Sequence, residues 1–387
     1  MSQIDAVTES DLRAQGSMKW TRYPDVTGAW VAEMDFGVAG PITDALHKAV
    51  DAGGFGYLPP AMEVELSAAA ADWYTSRYGW NVAPERIRPL PDVLTGLDAA
   101  IDHFSVPGSK VILPTPAYMP FMTVPGAHHR DIIQVPMSRT DDGWNLDLDA
   151  IDKAFDDGGD LLIFCNPHNP IGKVYSKEEM LAVAEVVDRH GGRVFSDEIH
   201  APLIYPGSGS RHIPYASVSE VAAGHTVTAA SASKAFNLPG LKCAQLILSN
   251  DADATTWARI GHPYEHGASN LGVVANVAAY TQGSEWLAGT LDYLDGNRKA
   301  MVDLVAEQLP GVGFLPPSGT YLAWLDCRDL DLGDHPFEFF MENAGVACTD
   351  GALCGEAGKC HIRFNFATPR PVLTAALERM GRALAAR

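Results

Sequence analysis

Short apolar runs alternate with amphipathic stretches between residues 85 and 250 of the chain. Residues 177–190 predict a helix that has Ser176 as its N-cap, Glu179 as the other half of a capping box, and Gly191 as its stop. This alternation predicts a mostly parallel sheet that is covered by helices on both faces and binds ligands at the carboxyl ends of its strands. The runs that we interpret as buried strands are 111–113, 161–165, 193–196, 227–230 and 244–248.

The pattern changes after Trp286, where a long polar helix at 289–308 precedes a second strand-rich unit. That unit ends at residues 361–366, where the alternation places Arg363 on the face opposite the apolar side chains. A chain of 387 residues is also too long for one ordinary core. We therefore expect a large domain at 46–288, a smaller α/β domain at 289–387, and an N-terminal segment at 1–45 that packs with the smaller domain.

The charge balance restricts the classes of partner. The chain has 28 basic and 48 acidic residues, a net charge of −20, which disfavours nucleic acids and anionic membranes because both favour basic surfaces. Residues 1–19 lack the apolar core of a signal peptide, and no apolar run approaches the ~18 residues of a membrane span. We expect a cytoplasmic protein.

The six cysteines show no disulfide framework. Cys348, Cys354, Cys360 and His361 could form a zinc site, but the gaps between these cysteines are wider than those of the usual zinc knuckle. We expect free thiols and no metal.

Polar side chains follow three of the predicted strands. Asn169 lies in the turn after 161–165, Asp197 and His200 follow 193–196, and Ser231, Ser233 and Lys234 follow 227–230, with Lys242 eight residues later. A lysine amine, small hydroxyls and a second cation suit a cofactor that carries an aldehyde and a phosphate, and a carboxylate would keep a heterocyclic nitrogen protonated. Each residue also has a structural interpretation: Asn169 as a turn former, Asp197 as a helix cap, and His200 as a surface residue.

These motifs identify a resemblance that extends from about Trp30 to Arg363. The chain resembles the MalY/PatB-type cystathionine β-lyases, or C–S lyases, within the fold-type I pyridoxal-phosphate enzymes of the aspartate aminotransferase superfamily. The strings D-E-I-H at 197–200 and W-V-A-E-M-D-F at 30–36 are the most specific for the lyases, whereas N-P-H-N-P-I-G, S-A-S-K and T-Y-L-A-W-L-D mark the superfamily. The resemblance implies a large domain with a mostly parallel sheet between helices, plus a smaller α/β C-terminal domain.

The resemblance also implies that the chain binds pyridoxal 5′-phosphate. Lys234 would form the imine with this cofactor and move the substrate's Cα proton, and Asp197 would pair with the pyridinium nitrogen. The other implied contacts are Asn169 and His200 at the ring 3-oxygen, Tyr118 on the ring face, and Ser231, Ser233, Lys242 and the backbone N–H groups of Val93 and Leu94 at the phosphate.

A small amino-acid substrate and a homodimer are implied in the same way. Arg363 would hold the substrate α-carboxylate, and Tyr118 would also contact the substrate. Tyr57 would reach the phosphate of the neighbouring subunit, so that the active sites lie at the subunit interface. Asp92 departs from the family pattern, because relatives usually have glycine there and a carboxylate beside a phosphate is unfavourable unless it points away.

The implied reaction is α,β-elimination of L-cystathionine or a related cysteine S-conjugate, which gives a thiol such as homocysteine, pyruvate and ammonia. Homocysteine release would serve methionine biosynthesis, and thiol release from other cysteine S-conjugates is the alternative role. An aminotransferase is the first alternative, since the superfamily shares its cofactor site. A regulatory protein that binds the cofactor is a further alternative, but no basic helix-turn-helix precedes Trp20.

Overall fold

The structure is a computed structural model that describes residues 3–140 and 143–387, so Met1 and Ser2 of the predicted N-terminal segment lie outside the described residues. The strands are β1 (Thr27–Ala29), β2 (Ile87–Leu90), β3 (Lys110–Thr115), β4 (Ile132–Pro136), β5 (Ser138–Thr140), β6 (Gly143–Asn145), β7 (Gly159–Cys165), β8 (Arg193–Asp197), β9 (Thr226–Ala230), β10 (Ala244–Leu248), β11 (Gly313–Phe314), β12 (Leu322–Asp326), β13 (Val346–Asp350) and β14 (His361–Asn365). The helices are α1 (Glu9–Gln15), α2 (Met18–Thr21), α3 (Gly40–Asp51), α4 (Pro60–Tyr78), α5 (Val93–His103), α6 (Val124–Ala127), α7 (Leu148–Asp156), α8 (Lys177–Arg189), α9 (Glu220–His225), α10 (Asp251–Ile260), α11 (His262–Glu265), α12 (Asn270–Gln282), α13 (Ser284–Gln308), α14 (Pro336–Ala344) and α15 (Arg370–Ala385).

A seven-stranded sheet forms the larger part of the molecule, in the order β2-β10-β9-β8-β7-β3-β4. Strand β10 alone runs opposite to the other six strands, so the predicted mostly parallel sheet is confirmed. Side chains of β3 alternate between two apolar clusters, with Val111 and Leu113 in one and Ile112 in the other, because both faces of the sheet are covered.

Local sequence signals set the ends of helix α8. The capping box predicted for α8 is present, with Ser176 and Glu179 each bonded to the other's backbone N–H. Helix α5 lies so close to the sheet that a Cβ at Gly96 would lie 3.3 Å from the Cβ of Ala229 on β9. The polar helix predicted from 289 begins at Ser284 instead, because Leu287 is buried and the apolar pattern extends further back than the sequence suggested.

The second sheet has five strands, in the order β1-β13-β14-β12-β11. Strand β1 comes from the N-terminal segment and pairs with β13 in parallel, whereas the other strands come from the C-terminal part of the chain. The domain boundaries at 45 and 288 stay a prediction.

A buried ion pair fixes the N-terminal segment after β1. Lys19 is completely buried, and its Nζ donates to a carboxylate oxygen of Asp35 at 2.7 Å. The other oxygen of Asp35 accepts a hydrogen bond from the indole N–H of Trp20 at 2.9 Å. Since breaking a buried pair leaves an uncompensated charge, this contact holds residues 30–35 in place.

The six cysteines are free. In the described ranges, no three histidine, cysteine or acidic side chains form a candidate metal site. No helix in those ranges is long and apolar enough to cross a membrane.

Candidate active site

Two adjoining cavities lie at the carboxyl ends of β7, β8 and β9, where the sequence predicts a ligand. Their volumes are about 130 Å³ and 160 Å³, and Val93, Tyr118, Ile199 and Lys234 line both. The first cavity is also lined by Asn169, Asp197, His200 and Arg363, and the second by Leu94, Ser231, Ser233 and Lys242. The fold therefore brings together every predicted site residue except Tyr57.

Asp197 is the last residue of β8 and is almost completely buried. One of its carboxylate oxygens accepts a hydrogen bond from the Ile199 backbone N–H at 3.0 Å, but no helix begins there. Burial, reinforced by the neighbouring Glu198 charge, raises the pKa of Asp197 to about 7. A cationic ring nitrogen in the cavity would favour the charged form of this carboxylate.

His200 lies in the same wall and is buried rather than at the surface. Burial, together with the charges of Lys234 and Arg363, lowers its pKa well below the usual range, so the ring is neutral. Its Nδ1 has no hydrogen-bond partner in the described part of the chain. A buried nitrogen of this kind is available to a ligand atom.

Lys234 follows β9 and directs its amine towards the N-terminal segment. Its Nζ donates to the backbone carbonyl of Ala32 at 3.0 Å. Burial and the nearby Arg363 charge lower the pKa of Lys234 to about 8, so a substantial fraction of the amine is neutral near physiological pH. A buried amine with a lowered pKa is suited to nucleophilic attack and to proton transfer.

Arg363 projects from β14 and is buried, although it lies on the predicted polar face of that strand. Its Nη1 donates to the side-chain oxygen of Asn169 at 3.0 Å, and its Nη2 donates to the Trp30 carbonyl at 2.9 Å and the Thr349 hydroxyl at 3.1 Å. Its Nε has no partner among the described residues. Three of the five N–H groups thus hold the guanidinium rigidly, while two donors stay available for a carboxylate.

The second cavity has the character of an anion site. Helix α5 begins at Val93, so that its first backbone N–H groups point to this end, and Ser231, Ser233 and Lys242 lie opposite. The Ser231 hydroxyl already donates to the Cys243 carbonyl at 2.7 Å and accepts from the Ser233 N–H at 2.9 Å.

Asp92 does not repel an anion as strongly as its position in the sequence suggested. One of its carboxylate oxygens caps α5 by accepting from the Thr95 N–H at 3.0 Å, and the other pairs with Lys242 at 2.9 Å. The carboxylate is thus directed to the helix end and to a cation. The same ion pair partly neutralises the positive charge of Lys242.

The sequence interpretation missed a backbone segment at residues 30–34, of which residues 30–32 line the first cavity. Each of the five consecutive carbonyls from Trp30 to Met34 accepts a hydrogen bond from a side chain elsewhere in the chain. The donors are Arg363 and Thr349 at residue 30, Asn365 at residues 31 and 33, Lys234 and Tyr321 at residue 32, Lys19 at residue 33, and Asn237 at residue 34. We call residues 30–34 the carbonyl wall.

Tyr57 lies outside these cavities. Its side chain is 85% exposed and packs only loosely against His266, with the ring centroids 5.5 Å apart. Tyr57 lines neither cavity, so within one chain it is separate from the predicted cofactor ligands.

The donor set fits pyridoxal 5′-phosphate. A buried carboxylate and a neutral, unpartnered imidazole lie at one end, a buried amine lies in the middle, and a helix N-terminus with hydroxyls and a lysine lies at the other end. These three features match the ring, the aldehyde and the phosphate of that cofactor in the order that one molecule would present them.

Comparisons with known proteins agree with this arrangement. The sequence model of the family described as aminotransferase class I and II matches residues 32–380. A cystathionine beta-lyase of Corynebacterium glutamicum is 39% identical over 97% of this chain and 98% of its own length. Cystathionine beta-lyase PatB of Bacillus subtilis is 33% identical over 95% and 96% of the two chains. The crystal structure of the PLP-bound C-S lyase from Staphylococcus hominis superimposes with a TM-score of 0.90 at 29% identity, covering 99% of each chain.

The raised pKa of Asp197 predicts that this carboxylate destabilises the cofactor-free protein. A group whose pKa rises from 3.8 to about 7 on folding contributes most stability below its unfolded pKa and loses that contribution as the pH rises through 7. Asp197→Asn should therefore raise the free energy of unfolding by up to about 4 kcal/mol at pH 8, and much less at pH 4. Urea denaturation of the cofactor-free protein measures this difference. Asp303→Asn, on the exposed face of α13, is the matched control and should change little, whereas a loss of stability in Asp197→Asn at pH 8 would contradict the assignment of a buried, destabilised carboxylate.

Proposed function

We propose that this chain, which belongs to the aminotransferase class I and II family, is a pyridoxal-phosphate-dependent C–S β-lyase. It cleaves L-cystathionine or a related cysteine S-conjugate to a thiol, pyruvate and ammonia. The observation that carries the proposal is the convergence of the Lys234 amine, the Asp197 carboxylate and the Arg363 guanidinium on one cavity. The relatives named cystathionine beta-lyase, which match nearly the whole chain, support elimination as the reaction.

The bound cofactor supplies an electron sink that stabilises negative charge at the substrate Cα. Asp197 would hold the ring nitrogen in its protonated form, and Asn169 and His200 would face the ring 3-oxygen. Tyr118 would cover the ring. The phosphate would be held by Ser231, Ser233, Lys242 and the N–H groups of Val93 and Leu94.

Arg363 orients the substrate by holding its α-carboxylate as a charge-assisted fork. The contacts of this guanidinium with Asn169, Trp30 and Thr349 fix its plane before substrate arrives, so that little conformational entropy is lost on binding. The substrate Cα is then placed within reach of Lys234.

Lys234 removes the Cα proton. Its Nζ accepts that proton in the neutral form, which its lowered pKa makes available near pH 8. Loss of the proton and cleavage of the Cβ–S bond leave a carbon–carbon double bond in the amino acid and a free thiolate. The enamine product hydrolyses to pyruvate and ammonia.

We infer that the functional unit is a homodimer. Phe55, Tyr57 and Val64 lie within ten residues of the sequence and are 69%, 85% and 67% exposed, although large apolar side chains favour burial against a partner. In such a dimer, the Tyr57 hydroxyl would complete the phosphate site of the neighbouring subunit. A cytoplasmic location and a role in methionine biosynthesis stay predictions, of which the free cysteines favour the first.

A product assay tests the proposed reaction. Purified protein with L-cystathionine should release pyruvate and free thiol in equal amounts, without converting added 2-oxoglutarate to glutamate. Lys234→Ala should abolish turnover, because one residue both binds the cofactor and transfers the proton. Glutamate formation without thiol release would favour an aminotransferase, and near-normal elimination by Lys234→Ala would exclude Lys234 as the base.

Arg363→Ala should mainly weaken substrate binding. Loss of a charge-assisted fork costs roughly 2–4 kcal/mol, or about 30- to 1000-fold in kcat/KM. Visible absorbance should show that the cofactor is retained. Arg259→Ala, which changes an exposed arginine outside the site, is the control, and a change in kcat/KM for Arg363→Ala of less than about threefold would rule out the carboxylate role.

Sedimentation tests the dimer. Active protein should sediment at twice the 41.5 kDa mass of one chain. The Tyr57→Phe variant should retain this mass. Its Kd for the cofactor should rise about three- to tenfold, because one hydroxyl contact with the phosphate is missing. A fully active monomer would contradict the proposal.

A further inference from the structure

A separate cavity of about 610 Å³ lies outside the active site. It is bounded by the C-terminal end of α4, the N-terminal end of α8 and the loop 201–217 that follows β8. It shares no lining residue with either of the two active-site cavities. The reaction proposed above therefore does not account for it.

The charge of this cavity is opposite to that of the whole protein. Arg77, Lys177 and Arg211 line it, and no aspartate or glutamate does, although the chain carries a net charge of −20. None of these three side chains forms an ion pair with another described residue, although the Arg77 guanidinium stacks over the Trp73 ring at 4.9 Å from its centroid. Three cations that converge without counter-ions repel one another, and a bound anion relieves that repulsion.

Helix α8 adds little to the positive potential of the cavity. Its first residue, Lys177, lies in the cavity lining, but Glu178 and Glu179 follow in the same turn and offset the partial positive charge of the helix N-terminus. The hydroxyl-bearing residues Ser210 and Ser217 also line the cavity and provide neutral donors.

The inner wall contains polar groups that the protein does not satisfy. The His212 side chain is completely buried, and its Nε2 pairs with Glu198 at 2.9 Å while its Nδ1 has no partner in the described ranges. The Tyr78 ring packs against it with the centroids 4.9 Å apart, and the Tyr78 hydroxyl is likewise unpartnered there. Both atoms have almost no solvent-exposed area, so they lie behind the cavity wall and do not reach an occupant of the cavity.

We propose that this basic cavity, defined by Arg77, Lys177 and Arg211, binds a small oxyanion that carries two or more negative charges. Guanidinium groups bind carboxylate and phosphate oxygens through paired N–H donors, and the lysine adds a mobile point charge. The ligand is therefore a phosphate ester or a polycarboxylate. Glu198, which pairs with His212, directly follows Asp197 in the sequence, so the occupant lies two side chains from the active site.

Calorimetric titration of the holoenzyme tests this inference independently of lyase activity, and the bound cofactor keeps the probes out of its own phosphate site. Inorganic phosphate and citrate are titrated separately, with sodium chloride holding the ionic strength equal in both. At least one of them should bind once per chain, and the preferred one identifies the ligand as a phosphate ester or a polycarboxylate.

The double variant Lys177→Gln with Arg211→Gln should weaken that binding by about tenfold or more, because two charge-assisted contacts are lost. Lys48→Gln is the matched control, since Lys48 is an exposed and unpaired lysine on α3 that lies outside the basic cavity, and it should bind as the native protein does. Failure of both probes to bind the native protein, or equal binding by the double variant, would overturn the proposal.

Discussion

The carbonyl wall is the constraint on which the site depends. A backbone segment at residues 30–34 presents its carbonyls to side chains from both sheets, so the amine of Lys234 and the guanidinium of Arg363 are oriented by one rigid strip of peptide. That strip is held from behind by the buried pair of Lys19 and Asp35. A shift of this segment would move the base and the carboxylate ligand together, because both hydrogen-bond to it.

The cavity also buries three charged groups, none of which forms an ion pair with another described residue. Asp197, Lys234 and Arg363 are each desolvated, and desolvation moves each pKa towards the neutral form. Such an arrangement costs stability and is typical of functional sites, where the ligand supplies the missing charges. Here a ring cation would complement Asp197, and the substrate carboxylate would complement Arg363.

Sequence patterns predicted the parts of the fold that depend on local signals. All five predicted strands of the large sheet are present, and their ends agree within two residues, because their side chains are buried on both faces and read as continuous apolar runs. The capping box of α8 is a local signal of the same kind. The predicted cofactor ligands follow the ends of three strands. Because parallel strands end at the same edge of the sheet, their proximity could be predicted without the loop conformations.

The remaining features depend on contacts that no local pattern encodes. The carbonyl wall consists of backbone atoms and therefore has no side-chain signature. The string at 30–36 identified a resemblance, but its residue types did not predict a structural role. The pairing of Asp92 with Lys242 joins residues 150 positions apart, and it weakens the repulsion that the sequence suggested. The basic cavity likewise joins α4, α8 and a loop that lie far apart in the chain.

The central claim is that Lys234, held against the carbonyl wall, is the residue that binds the cofactor covalently and transfers the proton. Borohydride reduction of the holoenzyme, followed by peptide mass spectrometry, locates the lysine that carries the cofactor. The account predicts that the added mass is confined to the peptide that contains Lys234. A modified Lys242, or a modification at any other lysine with Lys234 unmodified, would contradict it.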